Sequence, residues 1–163
     1  MPPLEQAART FLDQKRIAVA GVSRAGDVAA NIVYRKLRDA GYEVFAVNPN
    51  ADEVEGDPCY PNLAALPGGV DALVIGTPPS AAFALVEDCA DLGIQHVWMH
   101  RSFGQGSVDA EAVRRGRELG LSVIPGSCPM MFCEPVDVPH KCMRWVLRVS
   151  GKQPAPVGYA TSD

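Results

Sequence analysis

The chain has 163 residues, of which 47% are hydrophobic, and this is enough for one domain with a substantial core. Its formal net charge of −4 argues against a nucleic-acid binder, which usually presents a basic surface. The sequence has no recognisable signal peptide and no apolar run near the roughly 18 residues that span a membrane, so we expect a cytoplasmic protein without membrane contact.

Hydrophobic periodicity and turn residues predict strands that alternate with helices along the chain. The first strand is expected at 16–20, and a turn at 21–26 leads from it into a helix. A second strand at 42–47 precedes a stretch rich in turn-forming residues, 48–67. Three further strands are predicted at 70–75, 95–99 and 121–124, and the predicted helices are 3–14, 28–40, 80–92, 108–119 and 139–149.

This alternation predicts an α/β fold: a Rossmann-like, doubly wound, parallel sheet of five strands in a three-layer α/β/α arrangement. We expect one domain over residues 1–150 and a disordered tail over 151–163, because the tail is small, polar and proline-containing. A strand order of 3-2-1-4-5 places the first turn where the order reverses, which is where such folds bind ligands. The segments expected at that edge are 21–26, 48–50, 76–79 and 100–106.

The turn at 21–26, GVSRAG, predicts a phosphate site, because turn N–H groups and the following helix N-terminus favour negative charge. It departs from the dinucleotide fingerprint, since Ser23 replaces the middle glycine and the second strand ends at Asn48 rather than at an acidic residue. It also lacks the lysine and hydroxyl of a P-loop, whose places are taken by Asp27 and Val28. A phosphate-containing ligand therefore remains, without the residues for hydride or phosphoryl transfer.

Four segments of the chain resemble the CoA-binding domain family, small proteins related to the N-terminal domain of the succinyl-CoA synthetase α subunit. They are AGVSRAG with Asn31, the stretch from GYEVFAVNPN to CYPNLAALP, VDALVIGTPPSAA, and GIQHVWMHRSFGQG, within about residues 15–128. The resemblance implies the small-molecule ligand coenzyme A or an acyl-CoA, and it leaves open a homodimer or a partner subunit.

The same resemblance implies which parts of the ligand meet which strand ends. The first turn would meet the pyrophosphate, the end of the second strand the adenosine and its 3′-phosphate, and the third turn the adenine or pantetheine. The residues so implied are Gly21, Val22, Ser23, Arg24, Asn31, Val47, Asn48, Pro49, Asn50, Gly76, Thr77, Pro78, Pro79 and His100. Asn50 stands where many members carry Lys and Ser127 where many carry Arg, so Arg24 or Arg35 would have to supply the missing cation.

A second constellation has the spacing C-x4-C-x6-H-x-C and consists of Cys128, Cys133, His140 and Cys142. Thiolate and imidazole are zinc ligands, but this spacing is not that of a standard finger, and buried reduced thiols are favoured. Because Cys128 follows the last predicted strand, a mixed disulfide with the CoA thiol is a further hypothesis.

No catalytic residue is assigned, and His100 is favoured as a ligand contact rather than a catalytic group. The preferred function is a noncatalytic, regulatory module for CoA or acyl-CoA. The alternatives are a CoA-dependent ligase or transferase component that needs a partner subunit, an NAD(P)-binding protein, and a cysteine-based metal or redox sensor.

The last predicted helix carries an apolar stripe at near-helical spacing. Packing of this stripe on the protein's own sheet is favoured over a dimer face. Its residues are Val138, Cys142, Trp145, Val146 and Val149.

Overall fold

The computed structural model describes residues 3–102 and 104–159, in which helices cover both faces of one sheet. The helices are α1 (Pro3–Leu12), α2 (Ala29–Asp39), α3 (Ala82–Leu92), α4 (Ala110–Glu118) and α5 (Val138–Ser150). The strands are β1 (Arg16–Ala20), β2 (Glu43–Val47), β3 (Glu53–Val54), β4 (Asp57–Tyr60), β5 (Ala72–Ile75), β6 (His96–Met99) and β7 (Ser122–Pro125). None of the helices in this described part is long and apolar enough to cross a membrane.

The strands lie in the order β3-β4-β2-β1-β5-β6-β7, and only the β3–β4 pair is antiparallel. Ala20 at the end of β1 is in register with Val47 of β2 and with Ile75 of β5. The carboxyl ends of three neighbouring strands are therefore level, and the loops that follow them meet at one edge.

The α/β, Rossmann-like fold is confirmed, but the predicted count of five strands is wrong, because the sheet has seven among the described residues. The two missed strands form the hairpin 53–60, where Gly56 and Pro58 make the sequence look like a loop. In this hairpin, β4 occupies the place beyond β2 that the sequence had given to 70–75. With β4 counted as the third parallel strand, the order is 3-2-1-4-5-6, and the first turn still lies beside the reversal point.

Two layers of apolar side chains fill the space between the sheet and its helices. On one face, α1 and α2 cover the sheet, and Phe11 meets the buried Trp98 edge-on at a ring-centroid distance of 5.2 Å. On the other face, α3 and α4 pack through Val86, Cys89 and Ala112. Both faces of the central strands are buried under helices, which explains their nearly continuous apolar sequences.

Part of the segment predicted as a disordered tail, residues 157–159, lies against the sheet. Val157 forms an antiparallel bridge with Val123, with both N–H···O distances at 2.9 Å, and the Ser122 hydroxyl donates to the Gly158 carbonyl at 3.1 Å. This segment pairs with the outer strand β7, so burial of one valine and edge pairing outweigh the polar composition. The end of the predicted tail, residues 160–163, lies outside the described residues.

Candidate functional site

A cavity of 580 Å³ opens where β1, β2 and β5 end, and its size is within the range typical of small-molecule sites. Its walls come from the first turn, the segment after β2, the segment after β4 and the start of α3. The lining residues are Ala20, Gly21, Ser23, Val28, Val47, Asn48, Pro49, Asn50, Pro61, Asn62, Leu63, Gly76, Thr77, Pro78, Ala81, Ala84, Leu85 and Asp88.

Two glycines let the backbone segments at the base of this cavity approach one another. Gly21 has φ +96°, and a Cβ there would lie 2.7 Å from the Gly76 carbonyl oxygen. A Cβ on Gly76 would in turn lie 2.7 Å from Cβ of Ala30 on α2. A side chain at Gly21 would push β1 and β5 apart, and one at Gly76 would push β5 and α2 apart. Close packing therefore requires glycine at both positions, and the positive φ is a second reason at Gly21.

Two asparagine side chains hold the first turn in place. The Ser23 N–H donates to Asn31 Oδ1 at 2.7 Å, and Asn31 Nδ2 donates to the Ser23 carbonyl at 2.7 Å. From the other side, Asn48 Nδ2 donates to the Val22 carbonyl at 2.9 Å. Asn31 is fully buried, so its amide supports the turn from behind rather than contacting a ligand in the cavity.

The N-terminus of α2 is left open at the rim of the cavity. Val28 is its N-cap residue, makes no side-chain cap hydrogen bond, and lines the cavity. The first N–H groups of a helix have no partner within the helix, and together with the helix dipole they favour an anion. Because the N-cap side chain of Val28 makes no hydrogen bond to them, this first turn is suited to a phosphate.

Thr77 brings an unpaired hydroxyl to the same cavity. Its Oγ1 is buried and has no hydrogen-bond partner among the residues that the structure describes. Its carbonyl is held by the Ser107 hydroxyl from the loop after β6, which fixes the backbone at this point. A buried hydroxyl without a partner is costly, so a ligand atom that pairs with it would be stabilised.

The cations nearest the turn on α2 are already paired with carboxylates. Arg35 Nη1 lies 2.8 Å from Glu55 Oε1, and Arg38 Nη1 lies 2.8 Å from Asp57 Oδ2. The hydrogen bond from Asn31, followed by the attraction of Arg35, lowers the pKa of Glu55, which therefore stays charged at neutral pH. Arg35 is thus paired with Glu55, and the same Nη1 also donates to the Gly26 carbonyl at 3.2 Å.

Arg24 is the cation that remains available near the cavity. It is exposed in the first turn and makes no hydrogen bond or ion pair with any residue in the described part of the chain. Among the residues that line the cavity, Asp88 is the one with a charged side chain. Backbone N–H groups and Arg24 would therefore have to provide any positive potential.

His100 lies one strand further along the edge and does not line this cavity. Its N–H donates to the Ile75 carbonyl at 3.0 Å, and its Nε2 lies 3.3 Å from the Ser102 hydroxyl. Burial, and to a lesser extent His140, lower the pKa of His100, so the ring is neutral at pH 7. Phe103, which belongs to the same predicted segment 100–106, lies outside the described residues.

Most of the residues that the sequence proposed for the site line the cavity. Those that do are Gly21, Ser23, Val47, Asn48, Pro49, Asn50, Gly76, Thr77 and Pro78. Those that do not are Val22 and Asn31, which are buried under the turn, the exposed Arg24, and Pro79 and His100 beside the cavity.

The walls that sequence reasoning missed come from 61–63 and from α3. Asn62 caps a helical turn by accepting the Ala65 N–H at 3.0 Å, and this brings Leu63 against the cavity. The sequence CYPNL, which is part of the family resemblance, is the signal that points to residues 61–63. No sequence signal marks the three residues of α3 that line the cavity, because they lie on the face of an ordinary helix: Ala84, Leu85 and Asp88.

The cysteine constellation is not a metal centre in this structure. Among the described residues, no three His, Cys, Asp or Glu side chains come together in a way that could hold a metal ion. Cys128 is 2% exposed, and burial raises its pKa to about 11, so it is a protonated core thiol rather than a reactive thiolate. This placement speaks against the zinc alternative, and the burial of Cys128 removes the basis for its mixed disulfide with the CoA thiol.

Comparison with known proteins gives a consistent relationship. The sequence model of the CoA binding domain matches residues 15–134. The uncharacterized protein YneT of Bacillus subtilis is 31% identical over 114 residues, which are 70% of this chain and 82% of that protein. Acetate–CoA ligase [ADP-forming] II of Archaeoglobus fulgidus is 34% identical over 116 residues, which are 68% of this chain but 17% of the ligase.

A solved structure with the same architecture is that of a hypothetical protein from Pyrococcus horikoshii OT3. It superposes with a TM-score of 0.74 and 29% identity, over 81% of this chain and 91% of that chain. The likeness thus extends beyond the first turn to most of the sheet and its helices.

Proposed function

The chain belongs to the CoA-binding domain family, and we propose that it binds coenzyme A or an acyl-CoA as a noncatalytic module that reports or delivers this ligand. The observation that carries the proposal is the uncapped first turn of α2 beside Gly21, at the rim of the cavity. This position offers N–H groups and a helix dipole to a pyrophosphate without needing a lysine.

The rest of the cavity suits the nucleoside part of this ligand. Asn48, Asn50 and Asn62 supply neutral amides, while Pro49 and Leu63 supply flat apolar surface. An acidic residue at the end of β2, which would suit the free ribose hydroxyls of NAD, would repel the 3′-phosphate of CoA. Asn48 avoids that repulsion, and this supports CoA over NAD.

Arg24 is proposed to approach the phosphates from the solvent side of the turn. It is the unpaired cation nearest to Ser23 in the described part of the chain, whereas Arg35 is paired with Glu55. An exposed contact of this kind weakens as the salt concentration rises.

Calorimetric titration with CoA, 3′-dephospho-CoA, NAD and ATP tests the proposal. We expect CoA to bind most tightly, NAD and ATP at least about tenfold more weakly, and the Arg24→Ala variant to lose about threefold to tenfold in CoA affinity. Arg114→Ala, which removes an exposed arginine of α4, is the matched control and should leave the affinity unchanged. NAD binding as tight as CoA binding would contradict the proposal.

A second candidate function, a ligase component that needs a partner subunit, is favoured by one observation. The two ADP-forming acetate–CoA ligases of Archaeoglobus fulgidus that resemble this chain match it over only 17% and 18% of their own length. The remaining activity of such a protein would then have to come from another chain. Formation of acetyl-CoA from acetate, CoA and ATP by the purified chain alone would contradict both candidates, and activity that appears only with a nucleotide-binding partner would favour the second.

A further inference from the structure

The helix α5 stands on the surface of the domain with one face uncovered. None of its thirteen residues, all of which the structure describes, is buried. Asp137 caps its start by accepting the His140 N–H at 2.9 Å, and Arg144 ties it to the domain by donating to the Met131 carbonyl at 3.2 Å. The helix is therefore anchored along one side, and its opposite side faces solvent.

That open side carries the apolar stripe that the sequence had assigned to the core. Val138 is 71% exposed, Trp145 64%, Val146 52% and Val149 61%, and Cys142 is the exposed thiol among the five cysteines. The prediction that this stripe packs on the protein's own sheet is therefore wrong. Helix α5 contacts the domain through Met143 and Leu147 instead. An exposed cluster of this kind marks an interaction surface rather than scattered surface residues.

The spacing of the stripe indicates what kind of surface it fits. Val138, Cys142, Trp145 and Val149 are separated by four, three and four residues, which is the a/d seam of helices that pack side by side. Such a seam is narrow and straight, so another helix matches it better than a broad apolar plane does.

The charges beside the seam indicate the sign of the partner. Lys141 and Arg148 follow one edge of the seam at heptad spacing. Residues 138–152 contain no Asp or Glu, whereas the chain as a whole has a net charge of −4. This helix is a basic feature on an acidic protein, which favours a partner with carboxylates beside its own seam.

The same charges disfavour two other occupants. In an antiparallel pair of two copies, Lys141 of one copy would lie close to Arg148 of the other, and like charges at this place repel. An anionic membrane would attract the helix but repel the acidic remainder of the chain, and apart from Trp145 the seam consists of small valine and cysteine side chains that insert little apolar volume.

We propose that the open face of α5 is a docking site for an amphipathic helix of another protein, with an apolar seam flanked by glutamate or aspartate. The proposal does not depend on the ligand cavity, because α5 contributes no residue to that cavity. The seam from Val138 to Val149 would cover the partner's apolar side chains. Lys141 and Arg148 would favour a partner with acidic side chains beside those apolar residues.

Two synthetic helices test the proposal. Each is a three-heptad peptide with leucine at a and d; one has glutamate at e and g and the other lysine, so that each repels its own copies. We expect the glutamate peptide to bind, to shift the emission of exposed Trp145 to shorter wavelength, and to slow thiol labelling of Cys142. Binding should weaken at roughly 0.5 M salt, and the lysine peptide should bind at least about tenfold more weakly.

A charge reversal makes the test specific to this face. The double variant Lys141→Glu and Arg148→Glu should lose the glutamate peptide and gain the lysine peptide, while CoA titration and circular dichroism stay as in the unchanged protein. Arg114→Glu on α4 is the matched control and should leave peptide choice unaltered. Equal binding of both peptides, binding of neither, self-association through α5 in sedimentation, or stronger binding to phosphatidylglycerol vesicles than to the glutamate peptide would each overturn the proposal.

Discussion

Glu55 Oε1 lies 2.7 Å from Asn31 Nδ2, and this hydrogen bond joins the β3–β4 hairpin to the turn at the cavity. Glu55 adopts a left-handed φ of 53°, unusual for a residue with a side chain, and it also accepts from Arg35 at 2.8 Å. Asn31 in turn pairs with the N–H and the carbonyl of Ser23. The hairpin at the edge of the sheet therefore helps to fix the geometry of a turn three strands away.

The first prediction concerns this network. Asn31→Asp removes the two donors of the buried amide and sets a carboxylate against Glu55, so we expect a loss of about 1–3 kcal/mol in unfolding free energy and about tenfold in CoA affinity. Urea denaturation and calorimetric titration measure the two effects.

Combination with Glu55→Gln provides the internal control for Asn31. A glutamine at position 55 can donate to the new carboxylate, so the double variant should recover part of both losses. Strict additivity of the two single substitutions would show that Glu55 and Asn31 do not act together.

The second prediction concerns the close approach at Gly21. Gly21→Ala combines a left-handed φ with a Cβ only 2.7 Å from the Gly76 carbonyl, so it should destabilise the fold and abolish CoA binding. Gly41→Ala is the matched control, because φ there is +93° and a Cβ meets nothing within 4 Å. We expect the control to cost about 1 kcal/mol from backbone strain alone, with unchanged CoA affinity, and the Gly21 variant to cost at least about 1 kcal/mol more. Similar denaturation midpoints for both would contradict the steric argument.

The third prediction separates binding from stability at Thr77. Thr77→Val replaces a buried hydroxyl that lacks a partner in the described structure, so the free energy of unfolding should stay the same or rise by up to about 1 kcal/mol. CoA affinity should nevertheless fall about fivefold, since a hydrogen bond to the ligand is lost. Thr10→Val on α1, where the hydroxyl donates to the Gln6 carbonyl, should leave CoA affinity unchanged. An unaltered CoA affinity in the Thr77 variant would exclude this hydroxyl from the site.

The sequence was most informative where local chemistry and global fold agree. The apolar runs of β1, β5 and β6 are buried on both faces, so their composition alone identifies them as central strands. The first turn is equally readable, because its glycines serve a conformation that few other residues adopt. The strand ends that line most of the cavity follow directly from these two facts.

What the sequence could not provide depends on contacts between distant residues. The strand β4 contains Pro58, and it joins the main sheet through the pairing of Cys59 and Tyr60 with the end of β2. Val157 is ordered by one bridge to Val123, which no local pattern encodes. The pairing of Arg35 with Glu55, which removes a cation from the site, likewise requires the hairpin to be in place.

The last prediction concerns pH. Burial lowers the pKa of His100, so its folded-state pKa lies below the value of about 6.5 expected for the unfolded chain. The stability contributed by the neutral ring is complete above that unfolded value and is lost as the pH falls from there through the folded pKa, because protonation favours the unfolded state. We therefore expect urea stability to decline between about pH 7.5 and about pH 5.5, and to decline less in His100→Gln. His96, whose pKa is also lowered by burial, remains in both proteins, so the difference in slope isolates His100. Identical slopes would mean that His100 is as free to protonate in the folded protein as in the unfolded chain.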